Sequence, residues 1–202
     1  MDDHRRRADI VTAPPPDALT ARDAAAWRRW LDEHESASDG VWLVLAKKGT
    51  TEPTSLTYAE ALEEALCSGW IDGPIRGRDE RTFLQRFTPR RNGSIWSQRN
   101  VTRIAQLTAE GRLRERGRLE VERAQADGRW DRAYAGSATA EPPEALVAAL
   151  AAAPDLQAAF DALSRSDRYS ILHPLLTAAS PQTFESRLQR ALARLADHAE
   201  RS

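Results

Sequence analysis

Read from its amino terminus, the chain changes hydrophobic period twice. Ala24, Trp27 and Leu31 recur at helical spacing, which predicts a helix capped by Thr20 and running through Leu31. Asp39-Gly40 turns the chain, and VWLVLA from Val41 reads as a short buried strand. Thr57 followed by Glu60 is a capping-box signal. Behind it Tyr58, Ala61, Leu62, Ala65 and Leu66 form one apolar stripe, and Gly69 stops the helix. The period then falls to two. Trp70 to Arg76 predicts a second strand, with Trp70, Asp72 and Arg76 on one side and Ile71, Gly73 and Ile75 on the other. Pro74 implies an edge position or a bulge. After a turn at Gly77 to Glu80, Arg81 to Thr88 reads as a third strand, with Phe83 and Phe87 on one face and Arg86 and Thr88 on the other.

From Ser94 onward the pattern is helical. Ser94 or Ser97 caps a helix containing Val101, Ile104, Ala105 and Leu107, and a second helix spans Glu115 to Ala126. Ala135 to Ala140 has the composition of a linker, and Pro142-Pro143 opens a run of short helices. The last carries Ser180 as cap, Pro181 at its first position, and Phe184, Leu188, Ala191, Leu192 and Leu195 on one face. Pro174 should end or kink the helix before it. The expectation is an α+β fold: a small, mainly antiparallel sheet in the N-terminal half, covered by a mostly helical C-terminal half. The divisions read as a flexible tail over 1–19, an α+β core with a ligand pocket over 20–134, and a helical region over 141–202.

Composition narrows the function classes. With 202 residues, 41% of them hydrophobic, the chain can bury a substantial core. A net charge of −1 supplies no global field toward nucleic acid or anionic lipid. The single cysteine, Cys67, has no disulfide partner in the chain. The opening MDDHRRRADIVTAPPPDALT has no apolar signal region, its Arg5 to Arg7 run reads as a solvated tail, and no stretch approaches the roughly 20 apolar residues of a membrane span. These features predict a soluble cytoplasmic protein with no membrane association. No paired cysteines, no histidine pair at ligand spacing, no Walker loop and no GxGxxG run occur, so neither metal nor cofactor is expected.

Candidate chemistry concentrates between Leu56 and Trp96. From Arg76 to Arg103 there are eight arginines and two acids, with Phe87 and Trp96 interleaved. Such mixing of aromatics and charge suits a pocket for an anionic or aromatic small molecule. Trp42, Trp70 and Trp96 would stack on it. Asp72, Arg86, Arg90, Arg91, Ser94 and Asn100 would supply polar contacts, and Cys67 and Ser68 would shape the wall. Arg86 is expected across from Asp72 on the third strand, and Arg90 and Arg91 just before a helix start that suits an anion. A structural Asp–Arg pair and a solvated strand edge account for the same residues, so those readings stay open. At the end of its helix Cys67 gains nothing from the dipole and reads best as a small buried residue. Trp27, Trp30 and Trp130 read as packing residues.

Longer blocks add a resemblance. LTYAEALEEALCSGWIDG, RFTPRRNGSIWSQRN and GRLRERGRLEVERAQADGRWDRAY, followed by the tail PPEALVAALAAAPDLQAAFDALSRSDRYSIL, are similar in order and spacing to the YdeI/OmpD-associated, or bacteriocin-protection, family. The resemblance covers residues 27–134 and continues into the tail. It implies a protective role and carries no catalytic residue set. Ser68, Asn92 and His173-Pro174 depart from the family's usual pattern. The leading expectation is a protective protein that binds and sequesters a small toxic or stress-related molecule. One alternative is a hydrolase in which Asp72 is the catalytic residue and activates water; another is a nucleic-acid-binding regulator, against which the charge balance argues. Oligomeric state is not legible.

Overall fold

The structure, a computed structural model, describes residues 17–200. The Arg5 to Arg7 run and most of the expected flexible tail lie outside the described residues. The chain divides into two compact units. One holds the chain up to Ser94 together with Arg103–Ala126; the other holds Ile95–Thr102 and the described residues from Asp127 onward. The fold is α+β: a three-stranded antiparallel sheet with helices in the N-terminal half, and a C-terminal half made only of helices.

The first unit opens with α1 (Ala24–His34), β1 (Val41–Ala46), α2 (Tyr58–Cys67), β2 (Trp70–Gly77) and β3 (Thr82–Pro89). The cap of α1 is Asp23, whose carboxylate accepts from the Ala26 N–H at 2.8 Å, so the helix starts later and ends later than Thr20 and Leu31 suggest. The Thr57/Glu60 capping box of α2 is present with both reciprocal bonds. Sheet order is β1-β3-β2, which leaves β2 at an edge. Its pairing with β3 is irregular between Asp72 and Ile75, where Gly73-Pro74 sit. Proline has no N–H to give the ladder, and an edge with a bulge tolerates that loss. Leu19, assigned to the tail by sequence, instead forms a parallel bridge to Leu43: its N–H donates to the Trp42 carbonyl at 2.8 Å, and Val44 N–H donates back at 2.9 Å.

Glycines set how closely α4 (Glu115–Ala126) approaches α2. Gly69 adopts φ +69, and a Cβ there would sit 3.0 Å from Glu120 Cγ and 3.1 Å from the Arg116 carbonyl. A Cβ on Gly117 would collide with the Cys67 carbonyl. The absent side chains let α4 lie against the end of α2, and Arg114 N–H donates to that same Cys67 carbonyl at 3.0 Å.

α3 (Gln98–Ala109) begins in the second unit and ends in the first. The rest of the second unit is α5 (Glu144–Ala151), α6 (Pro154–Ala162), α7 (Arg165–Leu176) and α8 (Pro181–Ala199). Leu146, Leu150, Phe160, Leu172, Leu188 and Leu195 are among the residues of its own core. Ser180 caps α8 and Pro181 occupies its first turn, as the sequence reads. Pro174 does not end α7, which runs to Leu176. Proline's missing N–H costs α7 its bond to the Ser170 carbonyl, and the helix ends two residues later. Carbonyls of the last turn are bonded by side chains: Thr177 Oγ1 donates to the His173 carbonyl at 2.7 Å and Arg187 to the Pro174 carbonyl at 2.5 Å.

Candidate functional site

The strands place the expected pocket residues on different surfaces. Val41, Leu43, Gln85 and Phe87 share one face of the sheet. Trp70 lies on that side, fully buried, with its ring edge-on to Trp27 at 6.3 Å and to Trp30 at 5.9 Å. Trp27 also contacts Phe87 at 5.7 Å and donates its indole N–H to the Ala61 carbonyl. Trp70 is therefore a core residue with no ring face open to a ligand, which corrects the stacking role expected of it. Trp27 and Trp30 are packing residues, as read.

Asp72 pairs with Phe87 in register, and Arg86 pairs with Trp42. Neighbouring residues of one strand point to opposite faces. Asp72 and Arg86 therefore project to opposite sides of the sheet, and the expected Asp72–Arg86 pairing does not form. Asp72 instead accepts the Tyr58 hydroxyl at 2.8 Å, tying β2 to the first residue of α2. The irregularity at Gly73-Pro74 also moves Arg76 off the Trp70/Asp72 side. It pairs with Leu84, and its guanidinium lies 4.6 Å over the Trp42 ring. Trp42, Arg76 and Arg86 thus form one half-open face that alternation through a regular strand would not assemble.

The segment after β3 is a turn, not a helix start. Ser94 Oγ accepts the Arg91 N–H at 3.0 Å, while Ser97 Oγ caps α3 by accepting from the Asn100 N–H at 3.2 Å. Arg90 is buried and its backbone N–H donates to the Gly69 carbonyl; Arg91 is exposed. Trp96 and Asn100 belong to the second unit, where Trp96 is buried with its ring 5.0 Å from Trp130. Tyr134 N–H donates to the Trp96 carbonyl at 2.9 Å. Cys67 and Ser68 are buried at the end of α2. Burial first, and then the nearby Glu64 charge, pushes the Cys67 thiol up to about 11, so it stays protonated at neutral pH.

Sequence reading missed the charge network below α2. Glu64 is 2% exposed, yet it accepts from Arg28 at 2.6 and 2.9 Å, from Arg112 at 2.9 Å and from Arg114 at 3.1 Å. Glu63 accepts from Arg103 at 2.5 Å and Arg112 at 2.9 Å, and Arg114 also reaches Asp32 at 2.6 Å. Burial alone would raise the Glu64 carboxyl pKa; hydrogen bonds from Arg28 and Arg112 and the Arg28 charge outweigh it and hold the group below its ordinary value. The available signal was Glu63-Glu64 within an apolar stripe, where position 64 falls on a side that should be buried.

The second unit contains a cavity of about 420 Å³ between α7 and α8. Its lining includes Ser170, His173, Thr177, Arg187, Arg190 and Arg194, and no carboxylate among the described residues. Arg187 donates to the Pro174 carbonyl and to Thr177 Oγ1 at 3.3 Å, and Arg194 donates to Ser170 Oγ at 3.3 Å. Arg190 folds back onto Ser186 of its own helix. These partners are neutral, and no carboxylate pairs with the three arginines among the described residues. His173 sits edge-on to Tyr134 at 4.8 Å, and burial, then the Arg187 charge, lowers its pKa below the ordinary histidine value. Arg194 also borders a neighbouring cavity of about 330 Å³ whose lining includes Asp167, Asp197 and His198. The sequence signal was the spacing 187, 190, 194 on a helix whose other face is apolar.

Among the described residues, no group of three His, Cys, Asp or Glu is placed to hold a metal ion, and no single helix is long and apolar enough to cross a membrane. Comparison with curated proteins and with solved structures gives no match. Two family descriptions do match. "Domain of unknown function (DUF8412)" covers residues 19–120, just over half of the chain, and "Bacteriocin-protection, YdeI or OmpD-Associated" covers residues 139–198. The bacteriocin-protection resemblance, read chiefly from blocks within residues 27–134 and continued into the tail, is matched in the helical C-terminal part, whereas the strand-bearing part matches a different description. The chain belongs to the DUF8412 family through residues 19–120, and its residues 139–198 match the description of a bacteriocin-protection, YdeI or OmpD-associated family.

Proposed function

We propose that this chain is a protective protein that binds a small anionic molecule stoichiometrically, in the cavity between α7 and α8 of its bacteriocin-protection domain. The observation that carries the reading is the Arg187, Arg190 and Arg194 lining without a carboxylate. A volume of about 420 Å³ falls within the usual range for small-molecule sites, about 300–1,000 Å³. Guanidinium groups hold anions through several N–H donors in a fixed fork, and Ser170 and Thr177 add neutral hydroxyls on the other wall. His173 and Pro174, where the chain departs from the family's usual pattern, both line this cavity, which ties its shape to this chain's own ligand.

Binding without turnover is favoured over hydrolysis by the groups available. The Cys67 thiol is protonated and buried, and the Asp72 carboxylate is held by Tyr58. A thermal-shift screen against anionic antimicrobial compounds tests the proposal. A compound that raises Tm should do so in the wild type and lose most of its effect in the Arg190→Gln/Arg194→Gln double variant, and it should be recovered chemically unchanged. A compound that is consumed, or one that stabilises both proteins equally, would contradict it.

A further inference from the structure

Three guanidiniums line the α7/α8 cavity at positions 187, 190 and 194 of one helix. At 1.5 Å of rise per residue their Cα atoms span about 10 Å along α8. Ser170, His173 and Thr177 follow the same line on α7. Cross-helix bonds fix the alignment: Ser170 meets Arg194 at one end, and Pro174 with Thr177 meets Arg187 at the other. The guanidinium donors therefore form a track along one wall rather than a single nest.

Charge limits the track at one end. Asp167 and Asp197 line the adjoining cavity that shares Arg194, so an anion extending past Arg194 would meet carboxylates. Between Arg187 and Arg194 no carboxylate lines the cavity. An occupant that matches this arrangement is elongated, carries negative charge at more than one point, and accepts hydrogen bonds from the guanidiniums of α8. A carboxylate accepts mainly in one plane. A phosphate is tetrahedral, so a run of linked phosphates can take guanidinium donors from several directions along α8, while the Ser170 and Thr177 hydroxyls already donate to the Asp167 and His173 carbonyls.

Resting on the anion-binding reading above, we propose that the ligand class of this cavity is an oligophosphate: a run of at least two linked phosphate groups lying along α8, held by Arg187, Arg190 and Arg194 and touched by Ser170 and Thr177. Recognition lies in the run of phosphates, whether it is an inorganic chain or the phosphate tail of a nucleotide. The existing contacts leave room for it, because a guanidinium has five N–H donors and Arg187 shows two bonds and Arg194 one.

Isothermal titration of the full chain with orthophosphate, pyrophosphate and tripolyphosphate at fixed ionic strength tests this. Affinity should rise at least tenfold from orthophosphate to tripolyphosphate, with one site per chain. The Arg190→Gln/Arg194→Gln variant should lose at least tenfold for tripolyphosphate. Arg118→Gln, which removes one positive charge from an exposed arginine paired with Glu122, should leave affinity unchanged. ATP separates the two sources: affinity equal to or below that of tripolyphosphate assigns the phosphate run alone, and tighter binding assigns the nucleotide. Equal affinity for all three phosphates, with binding still lost in the double variant, would overturn the oligophosphate assignment and leave the anion site standing. Equal weakening by Arg118→Gln would reduce the effect to general charge attraction and overturn it. Absence of binding by all three phosphates would overturn it as well, while a compound from the antimicrobial screen that still depends on Arg190 and Arg194 would keep the broader reading.

Discussion

Glu64 shows how one residue organises the first unit. Its carboxylate lies among Arg28 of α1 and Arg112 and Arg114 of the segment before α4, so a single acid joins three stretches distant in sequence. Glu64→Gln keeps the volume and removes the charge. Because its arginine partners retain partial access to water, the loss should be about 1–3 kcal/mol, read as a lower midpoint in urea denaturation. The pH dependence has a definite sign. Since folding lowers the Glu64 pKa, its stabilisation is present above the ordinary carboxyl value of about 4.3 and is lost as pH falls through the lowered folded value. The Glu64→Gln protein should show a shallower fall in stability over that acidic window than the wild type. The same residue scale explains why Trp70 reads misleadingly. In sequence it stands beside Asp72, in polar company; in space it meets Trp27 and Trp30.

At the scale of elements, the contact between α2 and α4 depends on two missing side chains. Gly117→Ala places a methyl group against the Cys67 backbone, which cannot rotate away, so α4 must move. The expected cost is about 1–3 kcal/mol, measured by chemical denaturation, with thermal unfolding shifted down accordingly. Helix signals were the most legible part of the sequence because caps are local: Thr57/Glu60, Ser180 and Pro181 act where they read. Strand signals were legible in position but not in facing. Alternation assumes a regular ladder, and the Gly73-Pro74 irregularity breaks it, moving Arg76 over Trp42 and leaving Asp72 to Tyr58. The Glu64 network was not legible because its arginines lie 36 to 50 residues away in sequence. The α7/α8 cavity left only the arginine spacing as a trace, since a charged helix face most often meets water.

For the whole molecule, the two matched descriptions fall on different parts of the chain, and so do the two kinds of charge arrangement. Residues 19–120 contain a network around Glu63 and Glu64 that pairs carboxylate against guanidinium. Residues 139–198 contain a cavity in which guanidinium is opposed only by neutral groups. Internal pairing stabilises structure, whereas unopposed charge in a hollow suits an anionic guest. The central claim is therefore a claim about location: anion binding belongs to the α7/α8 cavity and not to the Trp42, Arg76 and Arg86 face. The most direct measurement is an NMR titration of the full chain with pyrophosphate, following the assigned arginine Nε–Hε signals. Arg187, Arg190 and Arg194 should shift together along one saturating curve while Arg76 and Arg86 stay in place. Saturating shifts at Arg76 and Arg86 with the α8 arginines unmoved would contradict the account.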